Sequence, residues 1–246
     1  MSLYALIQFI IPAASIPFLV YLIVKCLINY EQKTRGKVSL YYSLSLAAIA
    51  LTMGLYSIRA FLKEGQDLLA ELSLGGSMIL WLIAIGIYIE YWHTLYKKIP
   101  IFSKMFYVAF GGALVLVLFH PWEINYDNLW GYNQSLSDSF IFLLIIQGVC
   151  VFVIIYQALG RIKEGIDNEI LYISDLVHQM IDTQKEKDIF KNKKQELIKK
   201  KKRLSYITYA FFVGIFFVLL GIIIPGPTLS FDSIGILIIF IPVEFT

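Results

Sequence analysis

At 246 residues, the chain is 58% hydrophobic, 15% aromatic and only 16% charged, with a net charge of +3 and a mean hydropathy of +0.71. Soluble domains run at about 45–50% apolar and about 25% charged. So much apolar surface does not fit inside one soluble core, which makes lipid the expected solvent for most of the chain.

The first apolar stretch, Leu3 to Ile28, has no basic leader and is too long for a signal-peptide core, so it reads as a retained span. Further runs near the ~20 residues that cross a ~30 Å hydrocarbon core follow it. They place spans at about 4–28, 38–59, 74–95, 104–121, 139–160 and 205–224. Loop chemistry separates them: EQKTRGK at 31–37, KEGQD at 63–67, KKIP at 97–100 and IPGPTLSFD at 224–232. Pro12 and Pro17 are expected to kink the first span. Cys26 and Cys150 fall inside spans and form no disulfide framework, C-x-x-C or metal cluster.

A seventh segment begins near Ser233. SIGILIIFIPVEFT covers only about 20 Å as a helix at ~1.5 Å per residue, and Pro242 and Glu244 interrupt it. It reads as a short or re-entrant segment or, the favoured expectation, as a helix truncated in a fragment of a longer chain.

The distribution of Lys and Arg sets the orientation. With the N-terminus outside, the inner segments hold Lys25, Lys33, Arg35, Lys37, Lys97, Lys98, Lys104 and everything from Arg161 to Arg203. The outer segments hold only Arg59 and Lys63, beside Glu64, Asp67, Glu71, Glu123, Asp127, Asp138 and Asp232.

Residues 161–204 form the one sizeable polar segment. Ile162, Ile166, Ile170, Ile173, Val177 and Met180 recur every three or four residues, which predicts an amphipathic helix continuing the fifth span. A second helix is expected to return to the membrane through Leu197. Its end, Lys199, Lys200, Lys201, Lys202 and Arg203, stands directly before Tyr206 and Tyr209. Such a cluster attracts anionic lipid at about 1 kcal/mol per charge, and the adjoining span holds it at the lipid surface, which disfavours nucleic acid as a partner. The segment reads either as a solvated connection that fixes topology or as an antiparallel extension that transmits movement or docks a partner.

Few groups inside the spans carry chemistry. Glu90 and His93 share a helix face at i, i+3 near the inner boundary. They read as an interfacial pair or as a latch with the inner basic loops around Lys97 and Lys98. A di-iron site needs a second E-x-x-H pair and more glutamates, so no metal is expected. Gln147 is expected to bond across to another helix, and Ala109 to Ala113, with Gly111 and Gly112, to allow close helix approach. No midplane chain of carboxylates or histidines marks an ion path, and no H-E-x-x-H, G-x-S-x-G or P-loop occurs. The expectation is therefore a non-enzyme without a cofactor.

On the outer side, HPWEINYDNLWGYNQS spaces Trp122, Tyr126 and Trp130 at i, i+4, i+8 on what reads as a short helix, with Glu123 and Asp127 beside them. The rings read as an interfacial belt or as a cap that holds a cationic or aromatic ligand. Asn133-Gln-Ser135 is a glycosylation sequon on that side.

The fold expected is an all-α polytopic membrane protein, a bundle of about seven transmembrane helices. Residues 1–160 would hold helices 1–5, residues 161–204 a basic cytoplasmic extension, and residues 205–246 helices 6 and 7. In topology alone it is similar to seven-helix receptors and to the seven-helix N-terminal sensor regions of some histidine kinases. That implies a receptor-like or sensory module of the plasma membrane, with anionic lipid and a cytoplasmic signalling partner or second copy as partners. The alternatives are a small-solute transporter or channel subunit, and a non-catalytic membrane scaffold.

Overall fold

The computed structural model describes residues 3–31, 36–95, 100–119, 121–127, 131–179 and 184–223, with Gly235 and Ile238. The described residues include six α-helices, a 3₁₀ turn (Arg59–Phe61) and one hairpin: α1 (Leu3–Glu31), α2 (Lys37–Ile58), α3 (Asp67–Leu95), α4 (Pro100–Val117), β1 (Trp122–Asp127), β2 (Gly131–Leu136), α5 (Asp138–Gln179) and α6 (Gln184–Ile223). Among the described residues, three helical stretches are long and apolar enough to cross a membrane: Lys37–Ile58, Asp67–Thr94 and Asp138–Val177. Shorter apolar stretches occupy Pro12–Ile28 and Ile101–Val117. Of the expected seventh segment only Gly235 and Ile238 are described; the rest lies outside the described residues.

Consecutive helices pack side by side, and small or hydroxylated residues set how closely they approach. Ser45 Oγ on α2 donates to the Ala84 carbonyl on α3 at 3.0 Å, and Ser73 Oγ on α3 donates back to Leu55 at 2.6 Å. Between these bonds, a Cβ on Gly76 would meet Leu55 at 3.0 Å. On α4, Ala109 and Ala113 are buried, and a Cβ on Gly112 would meet Leu143 of α5 at 3.2 Å. Gln147 of α5 donates its amide to the Ala109 carbonyl at 3.1 Å, the cross-helix bond expected of it. Gly235 lies against α6 so closely that a Cβ would meet the Gly214 carbonyl at 2.5 Å.

At 42 residues, α5 is roughly 63 Å long at ~1.5 Å per residue, about twice a bilayer core. It runs unbroken past Tyr172, and α6 runs back from Gln184 through Arg203 to Ile223. Apolar spacing explains the pairing. Along α5, Ile155, Leu159, Ile162, Ile166, Ile170, Ile173 and Val177 form one stripe; along α6, Phe190, Leu197, Leu204 and Phe211 recur every seven residues. Facing stripes of this period bury each other as a two-helix seam. Ile166, Ile173, Leu197 and Leu204 are buried within it. Met180 lies outside the described residues.

The segment 122–136 corrects the expected short helix. It is an antiparallel hairpin in which Trp122 pairs with Leu136, Ile124 with Gln134 and Tyr126 with Tyr132. Spacings of four are even, so they put residues on one face of a strand as readily as of a helix. Ile124 decides between the two: a helix would turn it about 200° from Trp122, whereas a strand places it on the same face. Trp122, Ile124 and Tyr126 are at least partly buried, while Glu123 and Asn125 are exposed.

Candidate functional site

Three sets of polar or aromatic groups stand out, one at each end of the bundle and one along the α5–α6 extension. At the hairpin end, Trp122 is buried and its indole lies on Gly75 of α3, where a Cβ would meet the ring at 3.0 Å. Leu82, Ala113, Val117, Phe140 and Leu144 complete the cluster, so the hairpin is seated on three helices. Tyr126 packs edge-on against Tyr132, ring centres 5.0 Å apart. Glu123 is exposed. Trp130 and the side chain of Asp127 lie outside the described residues.

Tyr132, which the sequence did not mark out, holds the hairpin to the α2–α3 turn. Its hydroxyl accepts the Gln66 N–H at 2.9 Å and directs its one proton at Asp67 Oδ1 (2.9 Å) and the Lys63 carbonyl (3.1 Å). Burial, and then the bond to Asp67, push this phenol above its ordinary range. Arg59, counted with Lys63 in the outer segments, sits at the same end of the bundle as the hairpin. It is 5% exposed, in a single 3₁₀ turn after α2, and its guanidinium lies over the Tyr56 ring at 3.6 Å.

At the opposite end, α3 and α4 bring Glu90 and His93 together with two residues that the sequence reading missed. His93 Nδ1 lies 3.4 Å from Glu90 Oε1, and His93 Nε2 is 2.8 Å from Ser103 Oγ. Tyr107 donates to Glu90 and lies 3.4 Å from His93. His93 is almost fully enclosed, with 3% of its side chain exposed, against 38% for Glu90. Their i, i+3 spacing was visible in one helix; Ser103 and Tyr107 come from the next helix and carry no local signal. Lys97 and Lys98, the expected latch partners, lie outside the described residues, and among the described residues no His/Cys/Asp/Glu cluster fits a metal.

The third set is the seam of the extension. Lys201 pairs with Asp167 at 2.5 Å and Lys193 with Glu169 at 3.1 Å, while Lys194 donates to Ser174. Lys199, Lys200, Lys202 and Arg203 are exposed. The basic cluster is therefore divided: Lys201 turns inward to α5 and its neighbours face outward. A face of α6 is presented every three to four residues, so consecutive lysines cannot all point one way.

Comparison with protein-family models, curated proteins and solved structures found no match.

Proposed function

We propose that this chain is a multi-pass integral protein of the plasma membrane that senses a signal at its hairpin end and passes it to the cytoplasm through α5 and α6. In this reading the N-terminus and hairpin are outside, and residues 161–204 are inside, held against anionic lipid by Lys199, Lys200, Lys202 and Arg203. The hairpin, with Trp122, Glu123, Tyr126, Asp127 and Trp130, forms the ligand-facing cap. A cytoplasmic signalling partner or a second copy receives the output.

The observation that carries the proposal is the continuity of α5 and α6. Both leave the bundle without a break, and apolar burial and ion pairs join them for the length of the extension. A shift of one span against the other then has to appear at the far end, because packed helices are displaced as units and do not bend freely. The positions of Lys and Arg support the sidedness. For a transporter, the expected support would be an inverted repeat, which the sequence does not suggest.

A reporter fused after Lys187 is expected to be active on the cytoplasmic side; activity only outside would reverse the topology. Hydrogen exchange on the full chain in a bilayer is expected to find 161–204 protected. Rapid exchange throughout that segment, with its partner present, would identify a flexible linker and end the transmission reading.

A further inference from the structure

Where α5 and α6 leave the bundle, a cleft of about 520 Å³ opens between them. Its walls change character along the helices. Tyr156 and Tyr209 stand on the side of the apolar runs, and Arg161 and Lys163 on the side of the extension. Unlike Lys193 and Lys201, the cations Arg161 and Lys163 make no ion pair among the described residues. Both are exposed and on the α5 wall; with Glu164 beside them, that wall carries two positive charges against one negative.

The facing wall has the opposite hydrogen-bond sense. Ser205 Oγ donates to the Lys201 carbonyl at 3.3 Å and Thr208 Oγ1 to the Leu204 carbonyl at 3.0 Å. With their protons committed to their own helix, these hydroxyls present lone pairs to the cleft, as the Glu164 carboxylate does. Gly160 supplies the room: it lies mid-helix, where glycine costs about 1 kcal/mol relative to alanine, and a Cβ on it would meet nothing within 4 Å.

A ligand that fits must carry an anion for Arg161 and Lys163, hydrogen-bond donors for Ser205, Thr208 and Glu164, and an apolar part that continues beside Tyr156 and Tyr209. We infer that this cleft binds the head group of an anionic phospholipid. The phosphate lies against Arg161 and Lys163, and the hydroxyls of its head group face Glu164, Ser205 and Thr208. The inference rests on the membrane placement proposed above and goes beyond it. Diffuse attraction by exposed lysines would hold a cloud of lipids, whereas this cleft holds one lipid between the two helices that carry the output. Occupancy would then favour one separation of α5 and α6 over another.

The test uses the full chain in nanodiscs of phosphatidylcholine doped with phosphatidylglycerol, with retained lipid counted by native mass spectrometry. One phosphatidylglycerol is expected to stay with the wild type, and the double variant Arg161→Gln/Lys163→Gln to lower retention about tenfold, equivalent to ~1.4 kcal/mol. Gly160→Leu fills the cleft with a good helix former and is expected to lower retention as much, although the charge is unchanged. Lys199→Gln/Lys200→Gln/Lys202→Gln is expected to keep the one retained lipid. Wild-type retention by Gly160→Leu would overturn the inference, as would equal retention of phosphatidylcholine. Displacement of the lipid by inorganic phosphate would assign the site to a free anion and overturn the lipid. A protected extension with no retained lipid would refute this inference alone, whereas rapid exchange throughout 161–204 would refute the proposed function.

Discussion

The indole of Trp122 rests on the bare backbone of Gly75, close enough that a Cβ there would meet the ring at 3.0 Å. A residue expected to face an outer ligand thus also fastens the hairpin to α3. The same helix carries Glu90 and His93 at its other end.

Trp122→Ala is expected to destabilise the protein by about 3 kcal/mol, the usual cost of deleting a buried aromatic. Hydrogen exchange should rise across 122–136, while circular dichroism shows unchanged helix content. Unchanged protection of the hairpin would mean that the Gly75 contact does not seat it.

Asp167 and Lys201 are each partly exposed, with 40% and 35% of their side chains accessible. A double-mutant cycle with Asp167→Asn and Lys201→Gln is therefore expected to give a coupling of only about 0.3–1 kcal/mol, reduced by added salt. The charge swap Asp167→Lys/Lys201→Asp should restore the protection that Asp167→Lys alone removes. A swap no better than the single variant would show that the pair does not set the register of α5 on α6.

Tyr132 has a pH signature. Its phenol is raised in the folded protein, so the neutral form is the stabilised one. The clamp on Gln66 and Asp67 is fully present below the ordinary phenol value of about 10, and is lost only as pH rises through the higher folded value. NMR of ring-labelled tyrosine should find the signal that Tyr132→Phe removes titrating above the exposed tyrosines. The same substitution should speed tryptic cleavage at Lys63 at neutral pH.

Ser103→Ala and His93→Ala, combined in a cycle, should report a coupling of about 0.6 kcal/mol, the average found for polar contacts between helices in membranes. Thermal unfolding in detergent reads it. A value of zero would mean that the 2.8 Å contact does not hold α3 to α4.

Among the lysines that precede Leu204, substitution by glutamine is expected to weaken binding to anionic vesicles unequally. Lys199, Lys200 and Lys202 should each cost about 1 kcal/mol, and Lys201 distinctly less, because Asp167 already neutralises it. Equal losses at all four positions would show that Lys201 leaves Asp167 at a lipid surface.

The approximate places of the six described helices, the long continuation of α5, the return through α6 and the cross-helix bond of Gln147 were legible in the residues alone, while α3 begins at Asp67, seven residues before the expected start, and α4 runs from Pro100 to Val117. Each rests on a local property: apolar run length, three-to-four spacing, or a polar amide with no local partner. The hairpin was misread because its aromatic spacing of four suits both periods; the alternation of Trp122, Ile124 and Tyr126 with Glu123 and Asn125 separates them, and the pairing of β1 with β2 decides it.

What the sequence determined by itself was how much of the chain is apolar, where its helices run and where its positive charge lies, since these are sums over neighbouring residues. Tertiary structure alone decided which groups meet: Ser103 and Tyr107 at His93, Tyr132 at Asp67, Asp167 at Lys201, and Trp122 on Gly75. Each of these contacts joins separate elements, and the choice among them follows from how whole helix faces pack, which no short window of residues contains.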